Sequence, residues 1–250
     1  MSTAKAEINR KIGVIGGMGP AATAHFLTRL VALTPAKDDA DHIPVLVDNN
    51  PQIESRIDYI INRRGDSPAR TLAAMARALE KNGAAALAMP CNTAHWFADD
   101  ITRAVNIPLL NMINLSVADV AQRLDRGGSI GMLASPAVRK TQIFDSPSKD
   151  AGFELIFSFE DRLLNLIKMI KAEGGSRTAE TELRSIASAF RDQGAKFLLI
   201  ACSELSIIAS ALSAEFDAID TLDVLARASI AFSRPASAVS ISALNSNRSL

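Results

Sequence analysis

Short runs rich in Val, Ile, Leu and Ala alternate along this chain with longer stretches in which apolar residues return every three to four positions. The first pattern suits strands buried on both faces and the second suits amphipathic helices. Their alternation marks βαβ units built around parallel strands, so the predicted fold class is α/β. Strands are expected near 11–16, 44–49, 84–90, 107–111, 129–134, 153–158 and 196–201. Helices are expected near 20–33, 67–82, 94–104, 115–126, 162–172 and 178–193. From Ser233 the sequence SRPASAVSISALNSNRSL is rich in Ser and Asn and keeps neither period, which predicts a disordered tail over 233–250.

Comparison of the chain with itself adds more than any single segment. Residues 11–16 read KIGVIG and residues 129–134 read SIGMLA, so Ile12-Gly13 finds an echo in Ile130-Gly131. A second recurrence follows in the same order: LEKNGAAALAMPCN at 79–92 beside FRDQGAKFLLIACS at 190–203. Each contains a helix end, a Gly-Ala turn, an apolar strand and a cysteine. Gly83 precedes Cys91 by eight residues, and Gly194 precedes Cys202 by eight. Two matches in consistent order imply a duplication, hence two similar pseudo-symmetric lobes, each a mostly parallel sheet flanked by helices, facing each other across a cleft. The first lobe would span 1–115, with 217–232 returning to pack on it, and the second 116–216.

At 250 residues, 48% hydrophobic and 22% charged, the chain can build either one large core or two smaller ones. Its 27 basic residues balance 27 acidic ones, so charge offers no basis for binding nucleic acid or an anionic membrane. The opening MSTAKAEINR lacks the apolar stretch of a signal peptide, and no apolar run approaches the roughly 18 residues that span a bilayer. A cytoplasmic location is the expectation. Two cysteines 111 residues apart make neither a disulfide framework nor a paired-cysteine metal site.

An isolated cysteine is more often core filling than chemistry. Cys91 and Cys202, however, both fall beyond the carboxyl end of a strand, where parallel α/β sheets bind ligands and following helices present their amide N–H groups. A helix N-terminus there would lower the thiol pKa toward the physiological range. The residues behind them, Asn92-Thr93 and Ser203-Glu204, suit helix capping or hydrogen bonding to a bound carboxylate. GVIGGMGP, Gly13 to Pro20, is a glycine-rich turn able to approach a ligand closely, though neither its spacing nor its ending is that of a dinucleotide or Walker loop.

Four segments together resemble the aspartate racemase branch of the aspartate/glutamate racemase family: GVIGGMGP, NNPQI with Arg56 after it, MPCNTAH (Met89 to His95) and ACSEL (Ala201 to Leu205). The resemblance runs from about residue 11 to about 230. It implies a two-lobed pseudo-symmetric α/β fold, no pyridoxal phosphate, metal or other cofactor, a homodimer, and an acidic amino acid inverted at Cα between two cysteines. On that resemblance Cys91 and Cys202 are the acid and base. The backbone at Gly17 and Met18, with Asn50, Gln52, Asn92, Thr93, Ser135, Ser203 and Glu204, surrounds the substrate. Arg56 receives its side-chain carboxylate. Lys171 in IKMIKAEGG matches a second family cation, with Lys168 competing for the role. Ile53-Glu54-Ser55-Arg56 stands where relatives commonly carry IPDR, which places the Glu54 carboxylate near Arg56, Ser135 stands alone where they tend to show ATxGT, and His95 could tune Cys91 by a hydrogen bond. Other substrates on the same scaffold, a non-catalytic amino-acid-binding protein and a nucleotide-binding enzyme are the alternatives.

Overall fold

A computed structural model describes residues 9–212 and 215–234, which form two parallel sheets. Strands β1 (Ile12–Gly16), β2 (Val45–Asn49) and β3 (Ala86–Ala88) lie in the order β2-β1-β3. Strands β4 (Ser129–Ala134), β5 (Glu154–Ile156), β6 (Phe197–Ala201) and β7 (Ala218–Asp220) lie in the order β5-β4-β6-β7. β1 and β4 are thus equivalent, each flanked by the next strand on one side and the one after on the other. Around the sheets run helices α1 (Pro20–Leu33), α2 (Arg56–Ile60), α3 (Ala69–Lys81), α4 (Ala98–Thr102), α5 (Met112–Val120), α6 (Pro136–Thr141), α7 (Asp145–Ala151), α8 (Glu160–Glu173), α9 (Arg177–Asp192), α10 (Ser203–Ser206) and α11 (Thr221–Ser233).

The two recurrences in the sequence touch each other in space. A Cβ on Gly13 would stand 2.9 Å from the Cβ of Ala84 and 3.1 Å from that of Leu79. One on Gly131 would stand 2.8 Å from Leu198, 2.9 Å from Phe190 and 3.1 Å from Ala195. The strand glycine therefore admits the end of the following helix and its Gly-Ala turn, and the same device operates in both lobes. That turn is also alike. Gly83 (φ 89°) and Gly194 (φ 93°) adopt left-handed backbone, and the next amides, of Ala84 and Ala195, donate to the carbonyls of Leu79 and Phe190.

The inner strands β1, β4 and β6 are buried on both faces, as their apolar sequences require. On one face of the first sheet Leu72, Met75, Ala76 and Leu79 of α3 pack with Ile15 and Leu87. On the other, Ile12 and Val14 meet Phe26 and Leu30 of α1 and Leu222, Leu225 and Ala226 of α11. In the second sheet α8 and α9 cover Leu133, Leu198 and Ile200, while Ile113, Val117 and Val120 of α5 pack on Ile130 and Met132. The lobes thus exchange helices: α5 follows the first sheet and covers the second, and α11 follows the second and covers the first. Ile113 serves the second lobe although it precedes residue 116. Residues 218–220 stay with the second sheet as β7, and only α11 crosses. Arg29 of α1 grips Asp223 of α11 with two bonds of 2.6 and 2.8 Å.

Several local expectations need correction. The strand expected at 107–111 shrinks to one bridge between Leu109 and Leu87, because Pro108 has no N–H to extend the ladder. The helix expected at 115–126 begins at Met112, where Asn111 Oδ1 caps the amides of Ile113 and Asn114, and ends at Val120. The polar helix α7 and the three-residue β7 were not anticipated. The tail expected from Ser233 yields that residue to α11, and 235–250 lie outside the described residues.

Candidate active site

Cys91 leaves the first sheet two residues after Met89, and Cys202 follows β6 directly. Both are free and buried, and both line one cavity of about 60 Å³ between the lobes. Met18, Arg56, Asn92, Thr93, Ser135, Lys171, Ser203 and Glu204 line it with them. Ile57, Leu164 and Ile167 supply an apolar wall that sequence reasoning missed; Ile167 belongs to the buried stripe of α8, a signal of core rather than of a site. A larger cavity of about 460 Å³ lies between α1 and α11 among charged groups such as Arg29, Arg227 and Asp223, and contains neither cysteine.

Gly17, Asn50 and Gln52 stand outside this lining. The N–H of Gly17 donates to Thr23 Oγ1 at 3.0 Å, so it is not available to a ligand. Its left-handed backbone (φ 97°) lies directly against the Asn50 carbonyl, which leaves no room for any Cβ. The glycine-rich turn is thus packed against its own neighbours rather than open as a phosphate cradle. Asn50 Oδ1 caps the amide of Gln52 at 3.0 Å, and Gln52 faces solvent.

Arg56 enters from the first turn of α2, which Ser55 caps through the Asp58 amide at 3.1 Å. Its Nη1 donates to the backbone carbonyls of Ile53 (3.4 Å) and Glu54 (3.1 Å). The Glu54 carboxylate accepts from Thr71 Oγ1 at 2.9 Å. Lys171 Nζ, on α8, lies 3.2 Å from Glu204 Oε1, and the other oxygen of Glu204 accepts from the Cys202 thiol at 3.2 Å. Lys168, three residues earlier, is exposed and outside the lining. Across the cleft Thr93 Oγ1 and Ser135 Oγ come within 3.5 Å.

The expectation of lowered thiol pKa values does not hold. Burial pushes the Cys91 thiol up, opposed first by the Arg56 guanidinium; Glu204 adds to the rise, while the Ala94 amide and Lys171 oppose it. Burial and the adjacent Glu204 carboxylate push Cys202 well above its ordinary value, and the amides of Glu204 and Leu205 oppose this. Each thiol is buried, and the backbone amides that follow it offset only part of the desolvation.

Asn92 and Thr93 do not cap their helix through side chains. Instead Asn92 Nδ2 donates to Thr221 Oγ1 at 3.0 Å, while Asn92 Oδ1 is buried without a partner. His95 does not touch the Cys91 thiol. Its Nε2 accepts from the Met112 amide at 3.1 Å, which leaves the proton on Nδ1, 2.9 Å from the Cys91 carbonyl. Burial lowers its pKa to about 4 and keeps it neutral. Among the described residues no group of three or more His, Cys, Asp or Glu is placed to hold a metal ion, and no helix is long and apolar enough to cross a membrane.

Two parallel α/β lobes, each delivering a thiol to a shared cleft, define a fold met in racemases that act on amino acids. The chain belongs to the Asp/Glu/hydantoin racemase family, whose model matches residues 15–229. An aspartate racemase from Picrophilus torridus superposes with a TM-score of 0.81 at 27% identity, over 88% of this chain and 93% of that one. The broad specificity amino-acid racemase RacX of Bacillus subtilis (strain 168) is 23% identical over 88% of this chain and 96% of its own length. A glutamate racemase from Deinococcus radiodurans is 28% identical over 61% of this chain and 53% of its own. The chain is accordingly an enzyme of the racemase class, and racemases are isomerases.

Proposed function

We propose that this protein racemises an acidic amino acid, aspartate and with it glutamate, by proton transfer at Cα between Cys91 and Cys202 without a cofactor. The observation that carries this reading is the convergence of both buried thiols on one cavity with Arg56, Lys171 and Asn92. Inversion at Cα needs a base on one face and an acid on the other, and two lobes supplying one thiol each meet that demand. Arg56 receives the side-chain carboxylate, and the substrate ammonium meets Asn92 Oδ1. Thr93, Ser135 and Ser203 supply hydroxyl donors to the α-carboxylate as charge builds up on it.

Burial raises both thiols; Arg56 is the leading influence opposing this at Cys91, which therefore gives up its proton more readily than Cys202, whose thiol donates to Glu204, and the reactive form carries a Cys91 thiolate and a Cys202 thiol. Cys91 takes the α-proton of one enantiomer as the C–H electron pair passes into the carboxylate, and Cys202 returns its own proton to the opposite face of Cα. The result is a Cys91 thiol and a Cys202 thiolate, the state that accepts the other enantiomer. Exchange with solvent restores either starting state. We place the protein in the cytoplasm, where buried thiols stay reduced, and as a homodimer, which light scattering on the purified chain would test.

A broader substrate range is the second reading. Lys171 is already paired with Glu204, so Arg56 is the only cation in the cavity lining without a carboxylate partner among the described residues. A neutral amino acid would then compete with an acidic one. Circular dichroism on both enantiomers of aspartate, glutamate and a neutral series measures this. Aspartate should racemise fastest, and Cys91→Ala and Cys202→Ala should each lower kcat by about 10²–10⁴. Full activity in Cys202→Ala would overturn the mechanism, and tight aspartate binding without racemisation of any substrate would mark a binding protein instead.

A further inference from the structure

Half of the Asn92 amide is accounted for and half is not. Nδ2 donates to Thr221 Oγ1 at 3.0 Å, while Oδ1 is buried with no partner, in a residue only 2% exposed that lines the cysteine cavity. Thr221 is fully buried, and its one proton is committed to the Ile200 carbonyl at 2.9 Å. Towards Asn92 its oxygen can therefore only accept. That settles which end of the amide faces Thr221 and leaves the oxygen for the cavity.

Thr221 occupies a junction. It is the first residue of α11, where the chain leaves β7 on the second sheet and crosses to the first. The preceding Asp220 holds the turn, since its Oδ1 accepts from the Leu222 amide at 2.9 Å and from Ser206 Oγ at 2.7 Å. Ser206 in turn donates its amide to the Cys202 carbonyl at 3.2 Å. One hydroxyl thus links the residue after Cys91 to Ile200 of β6, two residues before Cys202.

We propose that Thr221 is a positioning residue: by accepting from Asn92 Nδ2 it presents Asn92 Oδ1 as the acceptor for the α-ammonium of the substrate. The inference rests on the reading of an amino-acid substrate given above. An amide free to turn would set its NH2 against the ammonium, and two donors would then face each other. Anchoring the ammonium also fixes how Cα lies between the thiols, so a hydroxyl outside the cavity lining governs a contact made within it.

The test compares Thr221→Val, which keeps the shape and loses the hydroxyl, with Thr221→Ser, which keeps the hydroxyl. In the wild-type and Thr221→Ser proteins without ligand, the Asn92 side-chain NH2, assigned by its loss in Asn92→Asp, should exchange slowly with solvent. In Thr221→Val it should exchange at least about tenfold faster, as expected for a lost buried hydrogen bond. KM for aspartate should rise about tenfold or more in Thr221→Val, since a bond to a charged group is lost. The inhibition constant of succinate, which lacks the ammonium, should stay within about twofold, and Thr221→Ser should behave as wild type. Equal weakening of both ligands, failure of Thr221→Ser to rescue, or rapid exchange of the Asn92 NH2 in the wild type would each overturn the proposal. Should the wild type racemise nothing, the racemase reading fails by itself. The amide exchange and the calorimetric affinities for aspartate and succinate still decide the role of Thr221.

Discussion

Cys91 and Cys202 follow equivalent strands in equivalent sheets and burial raises both thiols, yet the charged groups beside them differ. The Arg56 guanidinium is the leading influence favouring the charged form of Cys91, whereas Cys202 gives its hydrogen bond to the Glu204 carboxylate, which holds the proton on it. Their polar neighbours differ too. Asn92 is tied across the lobes to Thr221, while Ser206, four residues after Cys202, is tied to Asp220. Duplication matched the positions of the thiols, because strand order and the glycine contacts at Gly13 and Gly131 are shared. It did not match the charged groups beside them, which are single side chains that topology leaves free. A pair related by symmetry thus sits among unlike charged neighbours.

The strongest way to break this asymmetry is to remove Arg56. In Arg56→Ala, kcat/KM for aspartate should fall about 10²- to 10³-fold, reflecting a lost charged contact and a Cys91 that ionises less readily. Steady-state kinetics measures the fall, and a loss confined to KM with unchanged Cys91 alkylation would detach Arg56 from the thiol. Next in size is Glu204→Gln, which takes the negative charge from beside Cys202. Alkylation of Cys202 by iodoacetamide at pH 8, followed by peptide mass spectrometry, should accelerate about tenfold and that of Cys91 less. Equal acceleration at both thiols would contradict the assignment of Glu204 to Cys202.

The smallest effects concern stability, and they too separate the two corners. His95, behind Cys91, has a folded pKa near 4, below its ordinary 6.5. The unfolded chain takes a proton that the folded one refuses, so its contribution is present above pH 6.5 and is lost as pH falls toward 4. Asp220, behind Cys202, has a folded pKa near 7, raised by burial above its ordinary 3.8. Its contribution is present below pH 3.8 and is lost as pH rises through 7. Between pH 5 and 7 the two contributions change by about 2 kcal/mol each in opposite senses, so urea unfolding of the wild type should show a nearly flat profile over that range. His95→Gln should leave stability falling as pH rises through 7, and Asp220→Asn should leave it rising from pH 5 to about 6.5, whatever each does to absolute stability.

Much of this was legible in the sequence, for reasons specific to each residue. Ile-Gly, Gly-Ala and cysteine recur because the strand glycine and the helix end touch, so one packing contact wrote two motifs. The cavity position of Cys91, Cys202, Arg56 and Lys171 followed from the motifs of a related family. What stayed hidden depended on long separations or on short elements. Thr221 lies 129 residues from Asn92, and nothing around it in the sequence distinguishes it from any helix-starting threonine. Gly17 reads as a ligand-facing turn, but Thr23 takes its N–H. The polar α7 has no apolar period to find, and the one-bridge contact of Leu109 has the composition of a full strand. The thiol pKa values followed burial, which a sequence does not state.

The central claim, two thiols acting on opposite faces of Cα, is tested most directly by racemising each enantiomer of aspartate in heavy water and following the α-position at low conversion. The proton delivered comes from a thiol that has exchanged with solvent, not from the thiol that removed the original one. Product should therefore carry deuterium almost completely while unreacted substrate keeps its protium, in both directions. Product that retains the original α-proton would show one group serving both faces and would contradict the account.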